Sequence, residues 1–136
     1  MKDLNKDLNT VTGSIVDSAV RIHSKLGPGL VEAVYESVLA RDLMRRGLHV
    51  ERQKTISFRF EDLHFEDACR CDIVVEQTVI VEVKSVSKII TLHEQQLLTY
   101  LRLLDCKLGL ILNFGAPLMK EGIKRIANGY RPSLQR

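Results

Sequence analysis

Asp72, Glu82 and Lys84 are the residues whose types and spacing could do chemistry together. They fall in two β-rich runs, Cys71 to Val75 and Val79 to Lys84, separated only by Glu76, Gln77 and Thr78, a loop length common in hairpins. Pairing Val75 with Val79 sets Asp72 opposite Glu82, and directly opposed side chains sit roughly 5 Å apart on one face. Strand alternation adds Lys84 to that face. The other face carries Ile73, Val75, Val79, Val81 and Val83 and must pack against something apolar. Two carboxylates so placed repel, and relief comes from protonating one of them or from binding a cation. Mg²⁺ (or Mn²⁺) is suited to the position, because a hard cation takes oxygen ligands and is commonly held by one or two carboxylates together with substrate phosphate oxygens. A lysine beside it can orient or help deprotonate an attacking water, or neutralise charge developing on a phosphate. Spacing alone leaves a second reading open, a solvated cross-strand salt bridge between Lys84 and the acids.

Three further residues bear on that choice. Glu32 aligns at helical spacing with Tyr35, Leu39 and Leu43, an otherwise core-like stripe on which an unpaired carboxylate would be costly. It implies a partner or a metal, unless Glu32 merely complements the dipole of the helix it begins. Gln96 and Tyr100 stand four apart and so share one helix face, where they either reach a substrate or line a half-exposed surface. His23 precedes the turn Gly27-Pro28-Gly29 and reads as a helix-end histidine bonded to main-chain carbonyls rather than as a catalytic group. Cys69, Cys71 and Cys106 are odd in number and sparse, which argues for reduced thiols that pack a strand rather than a disulfide framework or a zinc site.

The elements that must position these residues follow from periodicity. Leu8, Val11, Ile15, Ala19 and Ile22 continue a stripe from Leu4 and predict an amphipathic first helix. Gly27-Pro28-Gly29 breaks it, and a second helix is expected from Leu30 to about Arg46, stopping at Gly47. Alternation through Val50, Ile56, Phe58 and Phe60 predicts strand, Glu61 and Asp62 a turn, and His64 and Phe65 a short return before the hairpin. Thr91 to Leu104 reads as helix, Leu108 to Asn113 as a buried strand, Leu118 to Ala127 as a short final helix, and residues 129–136 as a loosely ordered tail. With 136 residues, 45% of them apolar, the chain fits one domain over residues 1–128 with a real core. Helices, a hairpin and a crossover to another strand predict an α/β or α+β fold, a central mixed β-sheet flanked by helices. No apolar run approaches the roughly 20 residues of a membrane span, and the first residues lack the pattern of a secretory signal, so a cytoplasmic protein is expected. A net charge of +3 permits contact with a polyanion without arguing for one.

Asp72, nine intervening residues and Glu82-Val83-Lys84 resemble the D…ExK core of the PD-(D/E)xK nuclease superfamily, and Gln96-x-x-x-Tyr100 resembles the motif that follows it in RecB-like members. Gly29-Leu30-Val31-Glu32-Ala33-Val34-Tyr35 is similar to the signature of the GxxExxY family within that superfamily, as is the text from His23 to Gly29 and from Leu108 to Arg125. Cys71 stands where the superfamily name has proline. The resemblance implies a restriction-endonuclease-like core, a metal held by Glu32, Asp72, Glu82 and the main-chain carbonyl of Val83, Lys84 as catalytic lysine, and Gln96 and Tyr100 on the substrate backbone. The function expected is metal-dependent hydrolysis of nucleic-acid phosphodiesters, with DNA favoured, and with Arg52, Lys54, Arg70 and Lys88 as candidate backbone contacts. Little sequence is left for a specificity module, which points to a homodimer or a partner protein for target choice. Two rivals stay open: a nucleic-acid-binding or scaffold protein that keeps the fold without cleaving, and an Mg²⁺-dependent phosphatase, which the absence of a glycine-rich P-loop disfavours.

Overall fold

A computed structural model describes residues 7–129. Its elements are α1 (Leu8–Leu26), α2 (Glu32–Arg45), β1 (Val50–Phe60), β2 (Leu63–Val75), β3 (Val79–Lys84), α3 (Thr91–Leu104), β4 (Leu108–Asn113) and β5 (Ile123–Ala127), with a 3₁₀ turn at Met119–Gly122 before the last strand. The five strands form one sheet in chain order, β1-β2-β3-β4-β5. Only the β3/β4 pair is parallel, because α3 carries the chain across between them, as a parallel neighbour requires. The mixed sheet flanked by helices is the α+β architecture expected from the sequence.

Helices cover both faces. On one, Val11, Ile15, Ala19 and Ile22 of α1 and Tyr35, Leu39 and Leu43 of α2 meet Ile73, Val75, Val79, Val81 and Val83, so the apolar face of the hairpin finds its partner. On the other, Leu97 and Leu101 of α3 pack on Ile56, Cys71, Val74, Ile80 and Ile111. The β2/β3 register pairs Val75 with Val79 as the sequence predicts, and Glu76 and Gln77 both take positive φ, the mirror-image turn whose twist suits a hairpin. Gly47, just past α2, has φ 86, the left-handed stop read for that helix.

Two expectations are corrected. The segment from Leu118 to Ala127 is not a helix: a single 3₁₀ turn leads into β5, which pairs antiparallel with β4 from Leu108↔Ala127 to Leu112↔Ile123. Ile123 and Ile126 are spaced like a helical stripe, but in β5 they serve opposite faces, Ile123 packing with the α1/α2 core and Ile126 with the α3 core. Pairing with the open edge of β4 outweighs the helical pattern. Likewise, the return after the Glu61-Asp62 turn is no short strand of its own; β2 runs unbroken from Leu63 to Val75, with a register shift between Ile56 and Phe58. The tail expected at 129–136 lies outside the described residues except for Gly129.

Two stitches fix the loops around the end of β3. Buried Tyr35 stacks on Phe114 with ring centroids 4.4 Å apart, and its hydroxyl donates to the Gly27 carbonyl while accepting the Leu30 N–H. The turn before α2 is thereby tied to the core. Asn113 accepts N–H bonds from Val86 and Gly115 and donates to the Val86 carbonyl. Gly115 approaches Val86 so closely that a β-carbon there would lie 2.3 Å from its carbonyl oxygen. Gly115→Ala is therefore expected to destabilise by about 1–3 kcal/mol through overpacking against main chain, read from urea denaturation; an unchanged midpoint would show that the segment after β3 yields freely.

Candidate active site at the end of the central hairpin

The β2/β3 ladder stops at Ile73↔Val81. Beyond it, no main-chain bridge joins Asp72 to Glu82. The carboxylates replace it: the Asp72 N–H donates to Glu82 Oε2 at 3.0 Å, and the Val83 N–H donates to Asp72 Oδ2 at 2.8 Å. Each acid is thus oriented by the other strand's backbone, which leaves one oxygen of each carboxylate outside these bonds. Both groups are held in a poorly solvated place. Burial pushes the Asp72 carboxyl up, with Glu36 and Glu32 adding to the rise and the Val83 N–H and Lys84 opposing it. Burial, then the neighbouring Asp72, pushes Glu82 up to about 8.

Lys84 is half-buried beside this pair and its charge acts on both carboxylates, yet among the described residues its ammonium makes no ion pair. The salt-bridge reading of the trio is not what the structure shows. Glu32, the first residue of α2, accepts the Ser85 N–H at 3.2 Å, and the Ser85 hydroxyl donates to the Leu30 carbonyl at 2.7 Å. The N-terminus of α2 is therefore sewn to the residue following Lys84, on the far side of Val83. Tyr100 reaches a cleft of about 620 Å³ that Gln53, Arg70, Cys69 and Asp72 also line, and burial followed by Glu82 raises its hydroxyl pKa. Gln96, one turn earlier, is exposed and makes no side-chain hydrogen bond among the described residues.

The predicted basic contacts divide. Arg70 and Lys88 are exposed and form no ion pair among the described residues, whereas Arg52 is taken by Glu36 at 3.2 Å and Lys54 by Glu51 at 3.4 Å. His23 is held away from the acids: its Nε2–H donates to the Ala116 carbonyl at 2.9 Å, the carbonyl partner expected of a helix-end histidine. Burial raises the thiol pKa of Cys69 and pushes that of Cys71 to about 12, with Glu82 adding to both, so these thiols stay protonated packing groups. Glu36 and Gln53 escaped the sequence reading. Glu36 is buried, acts on both Asp72 and Glu82, and is bound by Arg52 and Gln53; its place one turn after Glu32 was the signal that could have found it.

Among the described residues, no group of three or more His, Cys, Asp or Glu side chains is placed to hold a metal ion. The donor set at the hairpin is instead two neighbouring carboxylates with oxygen ligands to spare and a raised pKa, which fits a hard divalent cation that needs only one or two protein carboxylates.

The family model of the PD-(D/E)XK nuclease superfamily matches residues 9–126, which include every acid described above. The chain belongs to the PD-(D/E)XK nuclease superfamily. No curated protein sequence matches it. A solved chain described as "Crystal structure of SSO0001" aligns with 16% identity and a TM-score of 0.42, over 90% of this chain and 68% of that one. Members of the PD-(D/E)XK superfamily generally use divalent metals, in keeping with the oxygen donors at the hairpin.

The raised carboxyls of this PD-(D/E)XK domain carry a pH signature. Glu82 titrates near 8 when folded against 4.5 ordinarily, so between those values the folded state holds a proton that the unfolded state has released. Its contribution to stability is complete below about 4.5 and is lost as pH rises through 8; the raised Asp72 carboxyl acts with the same sign. In EDTA, the thermal midpoint should fall between pH 5 and 8.5, and Glu82→Gln should recover on the order of 5 °C at the alkaline end. A wild-type midpoint that rises across this window would contradict the assignment.

Proposed function

We propose that this protein is a divalent-metal-dependent nuclease that hydrolyses nucleic-acid phosphodiester bonds, DNA in the first instance. The observation that carries the reading is that the Asp72 and Glu82 carboxyls, on neighbouring strands, are each held by the other strand's main-chain N–H, with Lys84, which makes no ion pair among the described residues, two residues beyond Glu82, in a chain of the PD-(D/E)XK superfamily. Gly29-x-x-Glu32-x-x-Tyr35 supports placing it in the GxxExxY family, and the structure gives that spacing a physical sense: Tyr35 anchors the Gly-Pro-Gly turn while Glu32 meets the end of β3.

In this reading Asp72, Glu82, Glu32 and the Val83 carbonyl hold Mg²⁺ or Mn²⁺. Such a cation, when bound, polarises the scissile phosphate and lowers the pKa of a nearby water. The rest is the work of the chain itself. Asp72 and Glu82 are fixed by main-chain N–H groups and need no reorganisation to act. Lys84, which makes no ion pair among the described residues, orients the attacking water or takes its proton. Tyr100 in the cleft and Gln96 on the same helix face contact the substrate backbone, and Arg70 and Lys88 neutralise phosphates beside the site. No helix among the described residues is long and apolar enough to cross a membrane, and we keep the cytoplasm as the compartment of this activity, with a second copy or a partner protein supplying target choice.

Incubation of the purified protein with linear, circular and single-stranded DNA, and with RNA, in Mg²⁺ or Mn²⁺ should give cleavage that EDTA abolishes. Asp72→Ala and Lys84→Ala should each lower the rate at least about 100-fold. Cleavage that survives both substitutions would sink the mechanism, and salt-sensitive binding without cleavage would favour a scaffold that keeps the fold. Binding should weaken steeply with salt, and Arg70→Ala or Lys88→Ala should each reduce the slope of log affinity against log salt by about one. An unchanged slope would remove that residue from the interface.

A further inference from the structure

The β1/β2 register runs Val50↔Val75, Glu51↔Val74 and Arg52↔Ile73, and resumes unchanged at Lys54↔Cys71. The position skipped is Gln53 opposite Asp72. Gln53 has φ 51, in the left-handed region that side chains other than glycine seldom adopt. Neighbouring side chains of a strand point to opposite faces, yet here Arg52 and Gln53 turn to the same acceptor: Arg52 Nε donates to Glu36 Oε2 at 3.2 Å, and Gln53 Nε2 donates to both Glu36 oxygens at 2.9 and 3.0 Å. Glu36 itself is only 6% exposed, on α2. The distortion passes to β2. Cys71 packs with the α3 core although Ile73, two residues on, packs with the α1/α2 core, and the Asp72 N–H turns to Glu82.

We propose that Glu36 is a positioning residue, which by holding Gln53 in its left-handed conformation keeps β1 from pairing with Asp72 and leaves the Asp72 main-chain amide to Glu82. A carboxylate buried on a helix thereby breaks one rung of the β1/β2 ladder, and the broken rung is what frees the Asp72 main-chain amide for the Glu82 carboxylate. Its consequence for metal binding rests on the function proposed above; its conformational part does not.

Two substitutions remove the anchor from either end. Gln53→Ala changes an exposed residue, so the fold is retained; Glu36→Ala removes the acceptor. In both, NMR should show position 53 returning to extended φ, with new cross-strand contacts between positions 53 and 72, and Mn²⁺ binding followed by electron paramagnetic resonance should weaken roughly tenfold or more. Gln53→Gly should do neither, because glycine adopts positive φ unaided, and the double variant Glu36→Ala/Gln53→Gly should regain the Mn²⁺ binding that Glu36→Ala loses. A merely structural role for Glu36 would not be rescued at position 53. A folded Gln53→Ala that keeps the left-handed conformer and the unpaired Asp72 overturns the proposal, as does a double variant no better than Glu36→Ala. Should the wild type bind no Mn²⁺, the metal reading fails and the backbone conformation at position 53 alone decides the role of Glu36.

Discussion

One exchange of hydrogen bonds governs the arrangement of this site. Where β2 and β3 would continue their ladder, the Asp72 amide goes to the Glu82 carboxylate and the Val83 amide to the Asp72 carboxylate. Main-chain donors are strong and must be satisfied when buried, so the two acids are recruited as substitutes for missing ladder bonds. The same exchange explains how two acidic side chains can stand together in a buried place. Each receives a main-chain hydrogen bond that offsets part of its desolvation, and the remaining cost is visible in the raised carboxyl of Glu82.

The surrounding elements can be read as supports for that rung. Behind the hairpin, α1 and α2 pack its valines and isoleucines, which makes the backbone carrying the acids rigid. From α2 come Glu32, bonded to the residue after Lys84, and Glu36, bonded to the strand beside Asp72, so one helix touches both flanks of the site. Its own placement depends on Tyr35, buried, stacked on Phe114 and bonded to the preceding turn. From the opposite side α3 brings Tyr100 to the cleft, and Asn113 at the end of β4 holds the segment that leads from Lys84 to α3. Several of these supports are short polar bonds made near the end of an apolar element, as at Glu32 and Asn113, where a core can fix a direction without enclosing the group.

Much of this was legible in the sequence, and for stated reasons. Period-two apolar runs around a three-residue loop dictate the hairpin, and the register that opposes Asp72 to Glu82 follows because a one-residue slip would turn one strand's apolar side chains to the wrong face. The stripe Tyr35, Leu39 and Leu43 fixes the inward face of α2, and with it the odd position of Glu32. Where the pattern misled, it did so through ambiguity of spacing: Ile123 and Ile126 are three apart, which suits one face of a helix or two faces of a strand, and the free edge of β4 chose the second. The continuity of β2 was hidden for a similar reason, since its outer half is exposed and has no core to impose alternation.

The sequence by itself therefore determined the first two helices, the central hairpin, the crossover helix and buried strand after it, the sheet's mixed character, the superfamily and the opposition of Asp72 to Glu82, because all of these follow from residue type and local period. Tertiary structure alone decided how those groups face one another. Asp72 and Glu82 do not simply stand side by side on a regular strand pair; the ladder is broken at Gln53, the Asp72 amide goes to the Glu82 carboxylate and the Val83 amide to the Asp72 carboxylate. No local rule signals a left-handed glutamine in a strand. It exists because Glu36, remote in sequence, lies where both its oxygens meet the Gln53 amide, and such a contact is fixed only when helix and sheet have packed.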